Sequence, residues 1–334
     1  MLDVEINNGP VDVFETGLLL AYAYPERIAS ARPGNNAQFQ LANGKIAAAG
    51  HKDDLAHEPW LAVAHMDLRD GLGKIFLAAP LNPKDLRALV KEKEVITWDT
   101  RRGGLIATKD LRIGSIVLQS KPLGTPSPEQ VAEAISTAIK TEGEKLLSFD
   151  ETMVQLQNRI LSLGKWNPDE NWPDVTTAEL LATNKQWLGP YLKDIKMPDD
   201  LKKLDLSEVL YHSLDWEKQQ ALNKLAPAKI EVPSGSKINI LYFSNGATPV
   251  LSVRLQEVFG LSDTPVLNNG KNKVVMHLLS PGYKPVQVTS DLNSFWNNLY
   301  FEVKKELQRR YPKHSWPDDP WTATAVAKGR SQKK

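Results

Sequence analysis

Apolar positions recur at helical spacing over residues 15–32, where Leu18, Leu19, Tyr22 and Ile28 share a face and Arg27 and Arg32 lie toward the end. Pro33-Gly34 ends this predicted helix, and Asn35-Asn36 opens a turn. From there to about residue 123 the pattern becomes short runs separated by turn signals. Gln38-Phe39-Gln40-Leu41 faces Lys45-Ile46 across Asn43-Gly44, a dipeptide that tolerates the positive φ of a tight hairpin. Runs at 60–68 and 74–79 flank Asp70-Gly71-Leu72-Gly73, and 83–90 predicts a short helix. Runs at 94–101, 105–110 and 112–118 predict three more strands, the first turn falling at Gly103-Gly104. Many short antiparallel strands around one helix predict a small Greek-key barrel, OB-fold-like, over residues 35–124. Pattern alone also allows a barrel of another type.

Thr125-Pro126-Ser127-Pro128 marks the next boundary, with Ser127 or Thr125 placed to cap a helix. Apolar residues then follow helical spacing through Val131, Ile135, Ala138, Ile139 and Leu146, and again through Met153, Leu156, Ile160 and Leu163 up to Gly164. Residues 176–191 and 206–225 predict a third and a fourth helix, so 125–225 reads as helical. After Ala226-Pro227, strands are expected at 229–232, 237–243, 248–254, 274–279 and 286–289. Asp291 caps a long final helix with Leu292, Phe295, Trp296, Leu299, Val303 and Leu307 on its stripe, and Pro312 stops it. The fold expected is α+β and multidomain. Its parts are a leading segment and helix (1–34), the barrel (35–124), a helical segment (125–225) and a C-terminal α+β domain with a basic tail (226–334).

Charge and composition narrow the function. The 41 basic and 40 acidic residues leave a net charge of +1, which excludes a uniformly basic nucleic-acid binder and leaves that role to local patches. The absence of cysteine rules out disulfides, thiolate zinc sites and a cysteine nucleophile, and fits a reducing compartment. Met1-Leu2-Asp3-Val4-Glu5 lacks the basic start of a secretory signal. The apolar stretch 17–23 falls far short of a membrane span, which takes ~20 residues. A cytoplasmic protein without a membrane partner is expected.

Motifs for chemistry are missing. Gly73-Lys74 and Gly44-Lys45 lack the first glycine and the hydroxyl residue of a phosphate-binding loop. No DExH sequence and no Gly-x-Ser-x-Gly elbow occurs. His57-Glu58 begins like a zinc-protease helix, but Leu61 stands where the second histidine belongs and Pro59 breaks the helix. The acidic pairs Asp150-Glu151, Asp169-Glu170 and Asp318-Asp319 suit caps and solvated turns, since adjacent residues point apart. No catalytic residue, metal site or cofactor is assigned to this chain.

Several strings resemble one family in order. Gly17-Leu18-Leu19-Leu20-Ala21-Tyr22-Ala23-Tyr24-Pro25-Glu26-Arg27-Ile28-Ala29 is similar to the segment leading into the OB-fold of HrpB-type helicases, followed by Gln40-Leu41-Ala42-Asn43-Gly44. Pro233-Ser234-Gly235-Ser236 and Arg254-Leu255-Gln256-Glu257-Val258-Phe259-Gly260-Leu261 resemble the start of the domain special to that family. Pro285-Val286-Gln287-Val288-Thr289 leads through Phe295-Trp296 and Lys305-Glu306-Leu307 to Arg310-Tyr311-Pro312-Lys313-His314 and Trp316-Pro317-Asp318-Asp319-Pro320. The resemblance runs from about residue 15 to 321. It implies a parent of the DEAH/RHA type, an ATP-dependent RNA helicase with RecA-like motor domains, a winged helix and a ratchet domain ahead of the OB-fold. Motor motifs are missing here, so ATP, Mg and hydrolase activity go to the implied parent. This chain then looks like the piece after the ratchet domain, cut from a longer protein or encoded by a split gene. Its implied partners are the motor and ratchet domains and, weakly, RNA.

Two basic clusters are candidates for RNA contact. Arg101 and Arg102 occupy a turn between strands, with Lys109 and Arg112 following. They either touch phosphates or form a solvated hairpin tip. From residue 301 onward, Lys304, Lys305, Arg309, Arg310, Lys313, Lys328, Arg330, Lys333 and Lys334 outnumber the acids by five. They suit phosphate contact, a solvated helix face, or, for Arg310 and Lys313, docking of the Trp316 arm. The nine tryptophans read mainly as core or interface anchors. An accessory region that grips RNA weakly and modulates a motor leads; a protein-interaction scaffold without RNA contact is the rival. The purified chain is expected to release no phosphate from ATP in a coupled assay; turnover above a buffer blank would contradict this.

Overall fold

Asp12 starts the first helix, α1 (Val13–Ala23), its carboxylate accepting from Phe14 N at 2.8 Å. The computed structural model describes residues 9–69, 71–99 and 104–327. The chain divides into two units, residues 1–134 and 135–334. Helix α1 stops before Pro25, which lacks an N–H and disfavours helical backbone in the residue before it. A 3-10 turn (Pro25–Arg27) leads directly into β1 (Ile28–Arg32). The helix is therefore 11 residues long where the pattern predicts one over 15–32, and Ile28 and Arg32 are strand residues.

Strands β2 (Asn35–Leu41), β3 (Ile46–Ala48), β4 (Trp60–Arg69) and β5 (Leu72–Pro80) close a barrel with β1 in the order β1-β2-β3-β5-β4. Only β3 and β5 pair in parallel; β1 also pairs with β4, which closes the ring. The expected Asn43-Gly44 hairpin is present, Gly44 at φ +88° and Lys45 N donating to Asn43 Oδ1 at 2.9 Å. Phe39, Leu41, Leu61 and Val63 fill the interior. Helix α1 lies so close to β5 that a Cβ on Gly17 would sit 2.1 Å from Pro80 O.

After a 3-10 turn (Pro83–Leu89), where a helix was expected, β6 (Lys91–Asp99), β7 (Gly104–Ile113) and β8 (Ile116–Pro122) form their own antiparallel sheet. The sequence reading placed these strands in the barrel and began the barrel at residue 35. The barrel instead runs from Ile28 to Pro80 and has no open edge once β1 meets β4. Strand β7 also continues through Asp110 and Arg112 to a turn at Gly114-Ser115. That turn is pinned: Ser115 N donates to Ala42 O at 2.7 Å, and a Cβ on Gly114 (φ +56°) would come within 2.2 Å of the same oxygen. Ile113 and Ile116 thereby join Ile28, Leu81 and Leu86 in a second core.

Ser127 and Gln130 cap α2 (Pro128–Glu142) reciprocally: Ser127 N donates to Gln130 Oε1 at 2.9 Å and Gln130 N to Ser127 Oγ at 3.3 Å. Helix α3 (Glu151–Trp166) follows its Asp150 cap. The third expected helix is split at Thr183 into α4 (Thr177–Ala182) and α5 (Asn184–Leu192). A short α6 (Pro198–Lys202) precedes α7 (Leu206–Ser213) and α8 (Trp216–Leu225). The last two were expected as one; Asp215 breaks them by accepting from Lys218 N at 2.8 Å.

Strands β9 (Lys229–Glu231), β10 (Lys237–Leu241) and β11 (Val250–Arg254) precede a small ribbon, β12 (Val266–Leu267) and β13 (Asn272–Lys273). With β14 (Val275–Leu279) and β15 (Pro285–Thr289) the main sheet runs β15-β14-β11-β10-β9, with β11 parallel to β14. Asp291 caps α9 (Leu292–Asn298), as expected, but the chain breaks at Leu299 before α10 (Tyr300–Arg310). The break turns Leu299 outward while Leu292, Phe295, Trp296 and Leu307 stay buried.

From Ile135 on, the helical stretch shares one unit with the C-terminal sheet, although the sequence pattern reads them as separate parts. One face of α3 explains this. Gln155 accepts from Tyr242 N at 3.0 Å, Asn158 donates to Tyr242 O at 2.9 Å, Ser162 to Phe243 O at 3.0 Å and Trp166 Nε1 to Gly246 O at 2.8 Å. Met153, Leu156, Ile160 and Leu163 are the buried apolar residues of the same helix.

Gly17→Ala is expected to destabilise the chain by about 1–3 kcal/mol, the cost of overpacking against backbone. Gly50→Ala, where an added Cβ would make only an ordinary contact with Asp53 Cβ at 3.9 Å, is expected to change little. Urea unfolding midpoints compare the two.

Candidate nucleic-acid interface

Arg101 and Arg102 lie outside the described residues. On β7, Lys109 reaches Glu92 Oε1 at 2.6 Å, and that hydrogen bond holds its ammonium above the usual lysine range. Arg112, three residues on, points to the other side of the pleat. Its Nε lies 3.9 Å from Asp110 Oδ2. Asp110 is itself buried and accepts from Ser120 Oγ at 2.6 Å, and this bond, more than Arg112, keeps its carboxyl below the usual range. Lys109 and Arg112 are thus not brought together, and both face carboxylates of their own sheet.

On α10 the expected cluster separates into two kinds. Lys304 pairs with Asp318, and Arg310 lies 3.4 Å from Glu306. Lys305, Arg309 and Lys313 are exposed and lack an ion-pair partner among the described residues. They follow one another at four-residue intervals, near-helical spacing, the last just beyond the helix end. Arg309 and Arg310 also sit where the helix dipole favours cations. Lys328, Arg330, Lys333 and Lys334 lie outside the described residues.

Sequence reading missed a surface on the outer wall of the barrel. Phe76 is 52% exposed, with the His65 ring 5.3 Å away and Lys74 Nζ 5.4 Å from its centroid. The alternation of β5, with Gly73 and Ile75 inward, places Lys74 and Phe76 outward, and this period-2 signal was present in the sequence. An exposed aromatic beside a cation suits base stacking. Among the tryptophans, Trp296, Trp187, Trp98 and Trp316 are buried, and Trp316 Nε1 donates to Tyr311 O at 3.0 Å. Trp216 stands out at 71% exposed.

Around α1, Val13, Phe14, Leu19 and Tyr22 are exposed, a dense apolar surface for one helix. Among the described residues no group of three or more His, Asp or Glu side chains could hold a metal, and no helix is long and apolar enough to cross a membrane.

Comparisons with known proteins agree with this layout. Residues 187–320 match the family described as ATP-dependent helicase C-terminal. Residues 89–123 match the connector region of ATP-dependent RNA helicase HrpB, a span that holds β6, β7 and β8 and none of the barrel strands. The chain is 36% identical over 324 residues to ATP-dependent RNA helicase HrpB of Escherichia coli (strain K12), covering 95% of this chain and 40% of that protein. It also resembles the crystal structure of the E. coli DExH-box NTPase HrpB (TM-score 0.62, 35% identity, 96% of this chain and 40% of the other). A crystal structure of the Escherichia coli DEAH/RHA helicase HrpB gives a TM-score of 0.57 at 35% identity, over 90% of this chain and 38% of the other. The chain therefore spans about 40% of the length of the relatives it matches.

The depressed Asp110 carboxyl gives a pH test. Its contribution to stability is present above the unfolded-state pKa and is lost as pH falls through the lower folded-state value. Urea midpoints of the wild type should fall on acidification below the usual carboxylate range, and Asp110→Asn should flatten that part of the profile. Parallel profiles would contradict the assignment.

Proposed function

We propose that this chain, which corresponds to the C-terminal region of an HrpB-type ATP-dependent helicase, works as an accessory region that grips RNA weakly and modulates the motor domains of the same parent. The observation that carries this reading is the match over 95% of the chain to 40% of an ATP-dependent RNA helicase. ATP, Mg and the hydrolysis step belong in this reading to the remainder of the parent. The chain offers no phosphate loop of its own, so its residues can position RNA or motor domains but not drive phosphoryl transfer.

We read the closed five-stranded barrel as an OB-fold, whose outer surfaces commonly carry single strands. Lys305, Arg309 and Lys313 are the best of the expected cations for phosphate contact, because among the described residues they have no carboxylate to leave. Arg101 and Arg102, outside the described residues, remain proposed contacts. Lys109, Arg112, Lys304 and Arg310 would have to release or share a partner acid first, which makes them weaker contributors. Phe76 with Lys74 adds a stacking surface. The setting proposed is cytoplasmic.

The scaffold reading, in which the chain docks the helicase core without touching RNA, is favoured by the exposed apolar residues of α1. A single test separates the two. In a fluorescence anisotropy titration with single-stranded RNA, joint reversal of Lys305, Arg309 and Lys313 to Glu should weaken binding. It should also reduce the slope of log affinity against log salt by about 2, at ~0.7 per phosphate contact. Wild-type binding that is absent at low salt, or unchanged in the variant, would favour the scaffold.

A further inference from the structure

The second unit holds a cavity of about 700 Å³ between α3, α7 and strands β9, β10 and β11. Leu156, Ile240 and Leu241 give it an apolar wall. Arg159 lines it from α3 and Tyr211 from α7. Burial pulls the Arg159 guanidinium below its ordinary pKa, and no carboxylate lies within ion-pair distance among the described residues. Its Nε donates to Ala226 O at 2.8 Å and its Nη2 to Asn223 Oδ1 at 3.3 Å. The same Asn223 donates through Nδ2 to the Tyr211 hydroxyl at 2.8 Å. Asn223 thus holds guanidinium and phenol side by side, and leaves both the Nη1 protons and the Tyr211 hydroxyl proton to donate elsewhere. The acids that line the cavity, Glu151 and Glu208, are exposed, and Glu208 faces His212 Nε2 at 3.8 Å.

A half-buried guanidinium without a counter-ion is costly in a protein interior, and an oxyanion is the group that offsets it. A cavity of this size suits a small organic molecule, and few convergent donors on an apolar wall are what such sites use. We infer that this cavity binds a small ligand through one oxyanionic group, phosphate or carboxylate, held by Arg159 and Tyr211, with the ligand's apolar body against Leu156, Ile240 and Leu241. The inference is independent of the RNA reading, since none of the cations proposed for RNA lines the cavity.

The test uses the full chain labelled with ¹⁵N, titrated with inorganic phosphate and, separately, with acetate, at ionic strength matched with chloride. The Arg159 Nε–H resonance, assigned by its loss in Arg159→Lys, is expected to shift saturably with at least one of the two anions. Phosphate alone would identify a phosphoryl ligand and acetate alone a carboxylate. Tyr211→Phe, which keeps the ring, is expected to weaken that binding at least about tenfold, the loss of one hydrogen bond to a charged group. A shift equal to that in chloride, a non-saturating shift, or unchanged affinity in Tyr211→Phe would overturn the assignment.

Discussion

Strand β10 ends at Leu241, yet the chain runs on through Tyr242, Phe243 and Gly246 with carbonyls and an amide that need partners. Four α3 side chains supply them. Each such bond contributes only about 1 kcal/mol net, but a buried backbone group left alone would cost more. Because the four residues share a helix face, the bonds fix both the rotation and the register of α3 against the sheet. That placement carries Arg159 to the cavity wall. It also turns Met153, Leu156, Ile160 and Leu163 into the core. The helical stretch consequently folds with the C-terminal sheet and not as a separate part.

Charge is handled in the same economical way. Four of the seven described cations proposed for RNA contact are already engaged: Lys109 by Glu92, Arg112 by Asp110, Lys304 by Asp318 and Arg310 by Glu306. The exposed pairs among them, Lys109–Glu92 and Arg310–Glu306, contribute little to stability, but all four lower the positive potential available to a polyanion. What is left of those seven is a short stripe, Lys305, Arg309 and Lys313. In the proposed reading, such a stripe would give a grip on RNA that is weak and salt-sensitive.

Local signals in the sequence were legible where one residue's chemistry decides the backbone. Asn43-Gly44 made its hairpin, Ser127 and Asp291 capped their helices, and Leu292, Phe295, Trp296 and Leu307 of the expected stripe packed the core. Breaks were harder to see. Pro25 cut α1 short, because helical spacing on both sides of a proline looks continuous until its missing N–H is counted. Asp215 split α7 from α8 by capping a new turn inside an apolar pattern. The assignment of β6 to β8 to the barrel failed for a non-local reason. Closure depends on the pairing of β1 with β4, and no strand announces its distant partner. The candidate site was legible as a list of cations, but which of them were already paired depended on β-register and on the fold-back of Asp318. The Arg159 cavity had no sequence signal, since its walls come from two helices and three strands.

The most direct test of the account is ultraviolet cross-linking of single-stranded RNA to the intact chain, with the linked peptides mapped by mass spectrometry. The account predicts links concentrated on peptides holding Lys305, Arg309 and Lys313, fading as salt rises. Links confined to the apolar residues of α1, or none at low salt, would contradict it.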